Sequence, residues 1–147
     1  MPSTFANFKN VLVSENTIDM DIRDSTSAHY ISAIRVRNGI SAAICNNTVR
    51  FACQGGGYAE AKIIRADSFK DILISANQII MSDSNFRTDA QLYGVQLEMD
   101  SAITNSLYCK AKIILNMVLG TGYRWGISER GGVNVSNFLQ AVVSQNN

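Results

Sequence analysis

The chain of 147 residues contains only one histidine, one tryptophan and one proline. Histidine and tryptophan, which often form catalytic or binding sites, are therefore scarce. The single proline and 10 glycines argue against a disordered chain or a linker. Charged residues make up only 17%, and the formal net charge is +1. Because no excess charge would steer the chain to phosphate groups, nucleic acid is not an expected partner.

The given sequence shows no pattern typical of an export signal or a membrane-spanning segment. Residues 1–7 lack a basic stretch followed by an apolar one, so we expect no signal peptide. The longest aliphatic run, 113–119, is far too short to cross a bilayer. Cys45, Cys53 and Cys109 show no C-x-x-C spacing, which argues against a disulfide framework and a zinc site. We therefore expect a cytoplasmic protein with free thiols and no membrane contact.

No pattern of catalytic residues is evident. His29 has no serine, cysteine or carboxylate partner at a motif spacing, and G-x-S-x-G, P-loop and H-E-x-x-H motifs are lacking. Asp19 and Asp21 alternate along a predicted strand and do not fit a calcium loop. We therefore predict a protein that is not an enzyme and that needs no metal or cofactor.

A repeated stretch organises the sequence. The segment 8–20 (FKNVLVSENTIDM) returns 61 residues later as 69–81 (FKDILISANQIIM), with seven of thirteen positions identical. Two further landmarks, a tyrosine-led strand and a glycine-rich stretch before a tyrosine, recur in the same order. Repetition of this kind predicts an internal duplication. We predict a single domain, 1–147, with halves 8–66 and 69–131 and a C-terminal tail or helix at 133–147.

The local pattern favours strands. Alternation of apolar and polar residues, as in 17–22, is typical of half-buried strands, and Asn38-Gly39 is typical of a hairpin turn. The predicted fold is mainly β: an antiparallel sandwich or barrel built from two duplicated meander halves of ~61 residues, with a short C-terminal helix capped by Ser136. An alternative is an α+β fold with helices near 69–81 and 101–119, where apolar residues also occur at helical spacing.

Two sets of residues are candidates for binding. Glycine lets a backbone approach a ligand, and aromatic residues next to arginine are frequent binding anchors. This predicts a ligand site formed by Gly57, Tyr58, Gly122, Tyr123, Arg124 and Trp125.

The second set consists of alternating charges on two predicted strands. Arg35 and Arg37 occupy positions in the first half that Glu98 and Asp100 occupy in the second. Because opposite charges stabilise paired strands, we hypothesise that these strands meet, within one chain or between subunits.

Two functions fit these features. The first is a non-enzymatic binding module that recognises or sequesters a small polar ligand, such as a sugar or a nucleotide. The alternative is a structural or assembly protein of a virus, a phage or another homo-oligomeric particle, favoured by the low charge. In both cases we expect the chain to associate with itself.

Overall fold

The computed structural model describes residues 8–23, 30–53, 60–83, 91–98, 110–122, 130–136 and 140–146. These residues are β-rich and contain no helix, so none of them forms a helix able to span a membrane. The strands are β1 (Phe8–Ser14), β2 (Thr17–Ile22), β3 (Tyr30–Ile31), β4 (Ile34–Cys45), β5 (Thr48–Cys53), β6 (Glu60–Ser75), β7 (Gln78–Asp83), β8 (Gln91–Glu98), β9 (Lys110–Ile114), β10 (Met117–Gly122), β11 (Arg130–Ser136) and β12 (Gln140–Ser144).

All strand pairs among these residues are parallel, and they form two sheets. The larger sheet has an upper and a lower section. In the upper section, β3 and the first half of β4 both pair with one side of β6, and β8 and then β11 follow on its other side. The lower section runs β1, β4, β6, β9 and β12. The second sheet runs β2, β5, β7 and β10. The described stretches of chain therefore stack as five coils of a β-solenoid (8–22; 30–53; 60–83; 91–98 with 110–122; and 130–136 with 140–146).

The core lies between the lower section and the second sheet. Each coil places equivalent residues in register, so one inward row of the lower section reads Val13, Ile44, Ile74, Ile113 and Val143. The facing row of the second sheet reads Ile18, Val49, Ile79 and Val118. The inner members of both rows belong to one hydrophobic cluster and are fully buried. β-branched side chains suit this arrangement because they pack well on a pleated surface.

The upper and lower sections meet at a bend inside two long strands. Asn38 in β4 and Ser68 in β6 lie side by side, and both have a left-handed backbone, with φ of 59° and 60°. Gly39 follows, buried, and a Cβ atom built on it would lie 2.3 Å from the Phe69 ring. The ring of Phe69 therefore occupies the space that only a glycine leaves free.

The predicted antiparallel fold is wrong. Glu15 and Asn16 do separate two strands, but β1 and β2 belong to different sheets and do not pair with each other. Asn38-Gly39 does not form a hairpin, because a type I′ turn needs positive φ at both residues and only Asn38 has it. The strand β4 instead continues through the pair. Alternation failed as a guide because the lower section and the second sheet each have one solvent-facing side, which gives their parallel strands the same period-2 pattern.

The predicted helices are wrong as well. The segment 69–81 lies in β6 and β7, and the described part of 101–119 lies in β9 and β10. The predicted C-terminal helix is replaced by β11 and β12, with Ser136 as the last residue of β11. In each case a neighbouring coil supplies the backbone partners, and this tertiary pairing outweighs the helical spacing of the apolar residues.

The similar segments 8–20 and 69–81 lie two coils apart. Phe8 pairs with Gly39, and Gly39 pairs with Phe69, so a third equivalent segment stands between them. The duplication of 8–66 and 69–131 stays a prediction, and the structure adds that 61 residues span two stacked coils.

Candidate functional site

The first four coils turn from the lower section into the second sheet through the same two-residue corner, and the same pair follows β12 in the fifth coil. The first residue has a left-handed backbone, with φ between 53° and 60°, and the second is an asparagine. The asparagines, hereafter the asparagine ladder, are Asn16, Asn47, Asn77, Asn116 and Asn146. A left-handed residue reverses the chain in one step, and the amide side chain that follows bonds to backbone groups at the corner.

Inside the stack each ladder asparagine forms hydrogen bonds with side-chain and backbone groups of the neighbouring coils. The backbone N–H and the Nδ2 group of Asn47 donate to Oδ1 of Asn77, at 3.0 and 2.9 Å. Nδ2 of Asn77 donates to Oδ1 of Asn116 at 2.8 Å and to the carbonyl of Ile44 at 2.9 Å. Asn47, Asn77 and Asn116 are each only 1% exposed. Because buried amides are costly unless bonded, the ladder holds the coils in one register.

The ladder has a direction. Each asparagine donates to the Oδ1 atom of the asparagine in the following coil, from Asn16 to Asn47 and finally from Asn116 to Asn146. Within the described residues, Oδ1 of Asn16 therefore accepts no hydrogen bond. At the other end, Asn146 donates through Nδ2 to the carbonyl of Ile113 at 2.9 Å, and its backbone N–H has no described acceptor. One end of the stack presents an acceptor and the other presents donors.

The terminal strands of the lower section also differ from the inner ones. Within the described residues, β1 pairs only with β4 and β12 pairs only with β9, which leaves one edge of each unpaired. Val143 is 50% exposed, although Ile44, Ile74 and Ile113 in the same inward row are fully buried. The end of the stack therefore exposes residues that the pattern of the fold places inside.

The outer face of the lower section carries a shallow groove of about 710 Å³. One edge of the groove is a polar row, and its floor is apolar. The polar row consists of Asn10, Ser41, Asp71 and Lys110, and the floor includes Leu12, Ala43 and Leu73. No aromatic side chain of the described residues lines it, so it lacks the flat ring on which a sugar or a base would stack.

Charged side chains cluster on the upper section around Arg65. Arg65 donates through Nε to both carboxylate oxygens of Asp67, at 2.8 and 3.0 Å, and reaches Glu60 at 3.3 Å. Burial lowers the pKa of Arg65, but its bond to Asp67 and the charges of Asp67, Glu60 and Glu98 leave the pKa raised overall. Lys62 also pairs with Glu60, at 2.8 Å. The cluster is internally neutralised, which fits a structural role.

The residues predicted at a charged interface are in part found beside this cluster. Arg35 bonds to Asp67 at 3.1 Å, and Glu98 lies 3.6 Å from Arg65. Both partners are on β6, which stands between β4 and β8, while Arg37 lies in register with Asp67. Asp100 lies outside the described residues. The proposed meeting of the two charged strands stays a prediction.

Most of the predicted ligand site cannot be placed. Gly57, Tyr58, Tyr123, Arg124 and Trp125 lie outside the described residues, whereas Gly122 ends β10 in register with Asp83 of β7. The ligand site therefore stays a prediction too.

The ladder itself was missed by the sequence analysis. Its signal is an asparagine between two apolar alternations, recurring at intervals of 30 or 31 residues, with one interval of 39 between Asn77 and Asn116.

Within the described residues, no group of three or more histidine, cysteine, aspartate or glutamate side chains could hold a metal ion. Comparisons with protein-family models, with curated proteins and with solved structures gave no match for this chain. Its function is therefore inferred from the geometry of its own residues.

Proposed function

We propose that the protein is a non-catalytic structural protein that assembles with copies of itself, with the β-solenoid as the building block. The observation that supports this is that, among the described residues, β1 and β12 each have one edge without a partner strand, at opposite ends of the lower section. An unpaired edge presents a row of N–H and C=O groups that readily pair with another chain.

The sequences of β1 and β12 carry little of the protection that usually prevents such pairing. Natural proteins block exposed edges with charges, proline, bulges or covering segments. The sequence of β12, QAVVS, contains neither a charge nor a proline, and in β1 only Lys9 is charged. Solenoids that stay monomeric need terminal repeats with a polar outer face. Val143, half-exposed at the end of the stack, does not provide one.

The test is the native mass of the purified protein across a concentration series, by light scattering and sedimentation velocity. Self-assembly predicts species at multiples of 16.1 kDa that grow with concentration and form without any added ligand. A monomer at every concentration would refute the proposal.

A second candidate function, binding of a small polar ligand, is favoured by the row of Asn10, Ser41, Asp71 and Lys110 along the groove, which offers hydrogen-bonding groups although no aromatic ring lines the groove among the described residues. Binding would raise the melting temperature in a panel of sugars and nucleotides, because a ligand that binds only the folded state stabilises it. Ala43→Met would obstruct the floor of the groove and abolish the shift. Ala52→Met, on the outer side of the second sheet, is the matched control and should leave it unchanged. A shift that survives Ala43→Met would place the ligand elsewhere.

A further inference from the structure

We propose that copies of the chain stack head to tail, with β12 of one copy pairing in parallel with β1 of the next and the asparagine ladder continuing across the junction. This inference rests on the proposed self-assembly and adds which surfaces meet and in which direction. The partner is a second copy of this chain.

The first argument is the complementarity of the two ladder ends. Among the described residues, the backbone N–H of Asn146 has no acceptor, and its Nδ2 group makes only one of the two bonds that Asn47, Asn77 and Asn116 make to neighbouring coils. Within the same residues, Oδ1 of Asn16 lacks the two donors that Oδ1 of each other ladder asparagine receives. Placing Asn146 of one copy before Asn16 of the next reproduces the bonds seen between Asn16 and Asn47. Two equal ends could not pair in this way, because both would offer donors or both acceptors.

The second argument is the match between the terminal strands. By register, Val143 continues the inward row that begins at Val13, and Ser144 continues the row that begins at Ser14. Stacking would therefore bring valine onto valine and serine onto serine. The half-exposed Val143 would become buried like the inner members of its row, which removes apolar surface from water.

The contact is carried by the lower section and the ladder. The second sheet ends at β10, one coil before β12, among the described residues. Because the surfaces that meet are different, the contact is of the heterologous type, which allows addition of a third and a fourth copy.

A disulfide trap tests this arrangement directly. Ser14→Cys and Ser144→Cys are introduced together into a chain whose three cysteines are replaced by serine or alanine. Neighbouring strands are about 4.8 Å apart, which is within the Cα separation that a disulfide spans. Within one chain the two positions are four strands apart, about 19 Å, so only a bond between copies can form.

The pattern on a non-reducing gel is diagnostic. The double variant should give a regular series of multimers under mild oxidation. A mixture of the two single variants should give dimers containing one chain of each kind and no higher species. Each single variant alone should stay largely monomeric, because a head-to-tail contact never brings two equal positions together.

An independent variant covers the case in which the cysteine variants misfold. Val143→Lys lets the ammonium group reach water in a single copy but would bury it against Val13 of the next, which an unpaired charge strongly resists. We expect the dissociation constant of the assembly to rise more than about tenfold, with the melting temperature of dilute protein unchanged. Ile40→Lys is the control, because Ile40 is 43% exposed on β4, an inner strand that is paired on both sides and does not form an end of the stack.

The outcomes separate the two proposals. Multimers trapped through positions 14 and 144, together with dissociation by Val143→Lys, support head-to-tail stacking. Assembly that shows neither effect overturns the stacking and leaves self-assembly standing. Protein that is monomeric throughout overturns both.

Discussion

The replacement of Asn77 by alanine probes the ladder at its central position, where the side chain is buried. The substitution removes four hydrogen bonds of the Asn77 side chain. Two are donated to it by Asn47, and two are donated by its own Nδ2 group, to Asn116 and to Ile44. The backbone N–H of Asn47, which donates to Asn77, is left without this acceptor at a position where the ladder asparagines are only 1% exposed.

The expected loss follows from these contacts. A net contribution of about 0.5–1.5 kcal/mol for each hydrogen bond gives a loss of roughly 2–6 kcal/mol in the free energy of unfolding. This is a large part of the total stability of an ordinary domain, about 5–15 kcal/mol. Asn16→Ala is the matched control, because Asn16 occupies the same corner but is exposed and its side chain makes only two of the described bonds. Water can replace those bonds, so we expect a cost of about 1 kcal/mol.

Urea unfolding of dilute protein, followed by far-ultraviolet circular dichroism, measures both variants. The comparison requires equal m values, since a change in m would mean that the variant alters the compactness of the unfolded or folded state or no longer unfolds in one step. Similar costs for Asn77→Ala and Asn16→Ala, or a cost below about 1 kcal/mol for Asn77→Ala, would show that the ladder does not hold the coils together.

Three further substitutions test other parts of the fold by thermal or urea unfolding. Gly39→Ala should cost about 1–3 kcal/mol because its Cβ meets the ring of Phe69, and Phe69→Leu in the same chain should make the costs less than additive; additive costs would exclude this contact. Leu115→Asn should stabilise by about 0.5–1 kcal/mol, because Leu115 is 56% exposed with φ of 57°, where asparagine is favoured; a loss would contradict this. Asp67→Asn should cost about 2 kcal/mol because it removes the buried carboxylate that pairs with Arg65 and Arg35, whereas Asp21→Asn, in an exposed pair, should change stability by less than about 0.5 kcal/mol; equal costs would refute the distinction.

The strands were predictable from the sequence, but their partners were not. Alternation in Thr17–Ile22 reports that one face is buried, and it carries no information on whether the neighbouring strand is parallel. Asn38 illustrates the same limit. The pair Asn38-Gly39 predicts a positive φ at Asn38, and this residue does have one, yet the chain does not turn back there. Whether that backbone reverses the chain or bends a continuous strand depends on Gly39 and on the Phe69 ring above it, which lies 30 residues further along the chain.

The interval of 61 residues between the similar segments 8–20 and 69–81 is twice the interval between neighbouring coils. The intermediate segment 39–51 lacks the phenylalanine that marks the other two, because Gly39 takes its place. A phenylalanine at 39 would collide with the ring of Phe69. Because Phe8, Gly39 and Phe69 alternate in size along one stacked row, the similarity of the sequence does not show the interval of a single coil. The asparagines at the corners do recur at that interval.

The stability that Asn16 contributes should depend on assembly, because this residue lies at one end of the ladder. In a single copy Oδ1 of Asn16 accepts no described bond, so Asn16→Ala removes only the two bonds that its Nδ2 group donates. In a head-to-tail stack the same oxygen would accept two bonds from Asn146 of the preceding copy, and the substitution would remove those as well. The cost of Asn16→Ala should therefore rise with protein concentration, while the cost of Asn77→Ala, whose partners all lie within the chain, should stay constant. Denaturation of both variants at two concentrations measures this difference. A cost of Asn16→Ala that is independent of concentration in protein that does assemble would place the contact between copies away from the ladder.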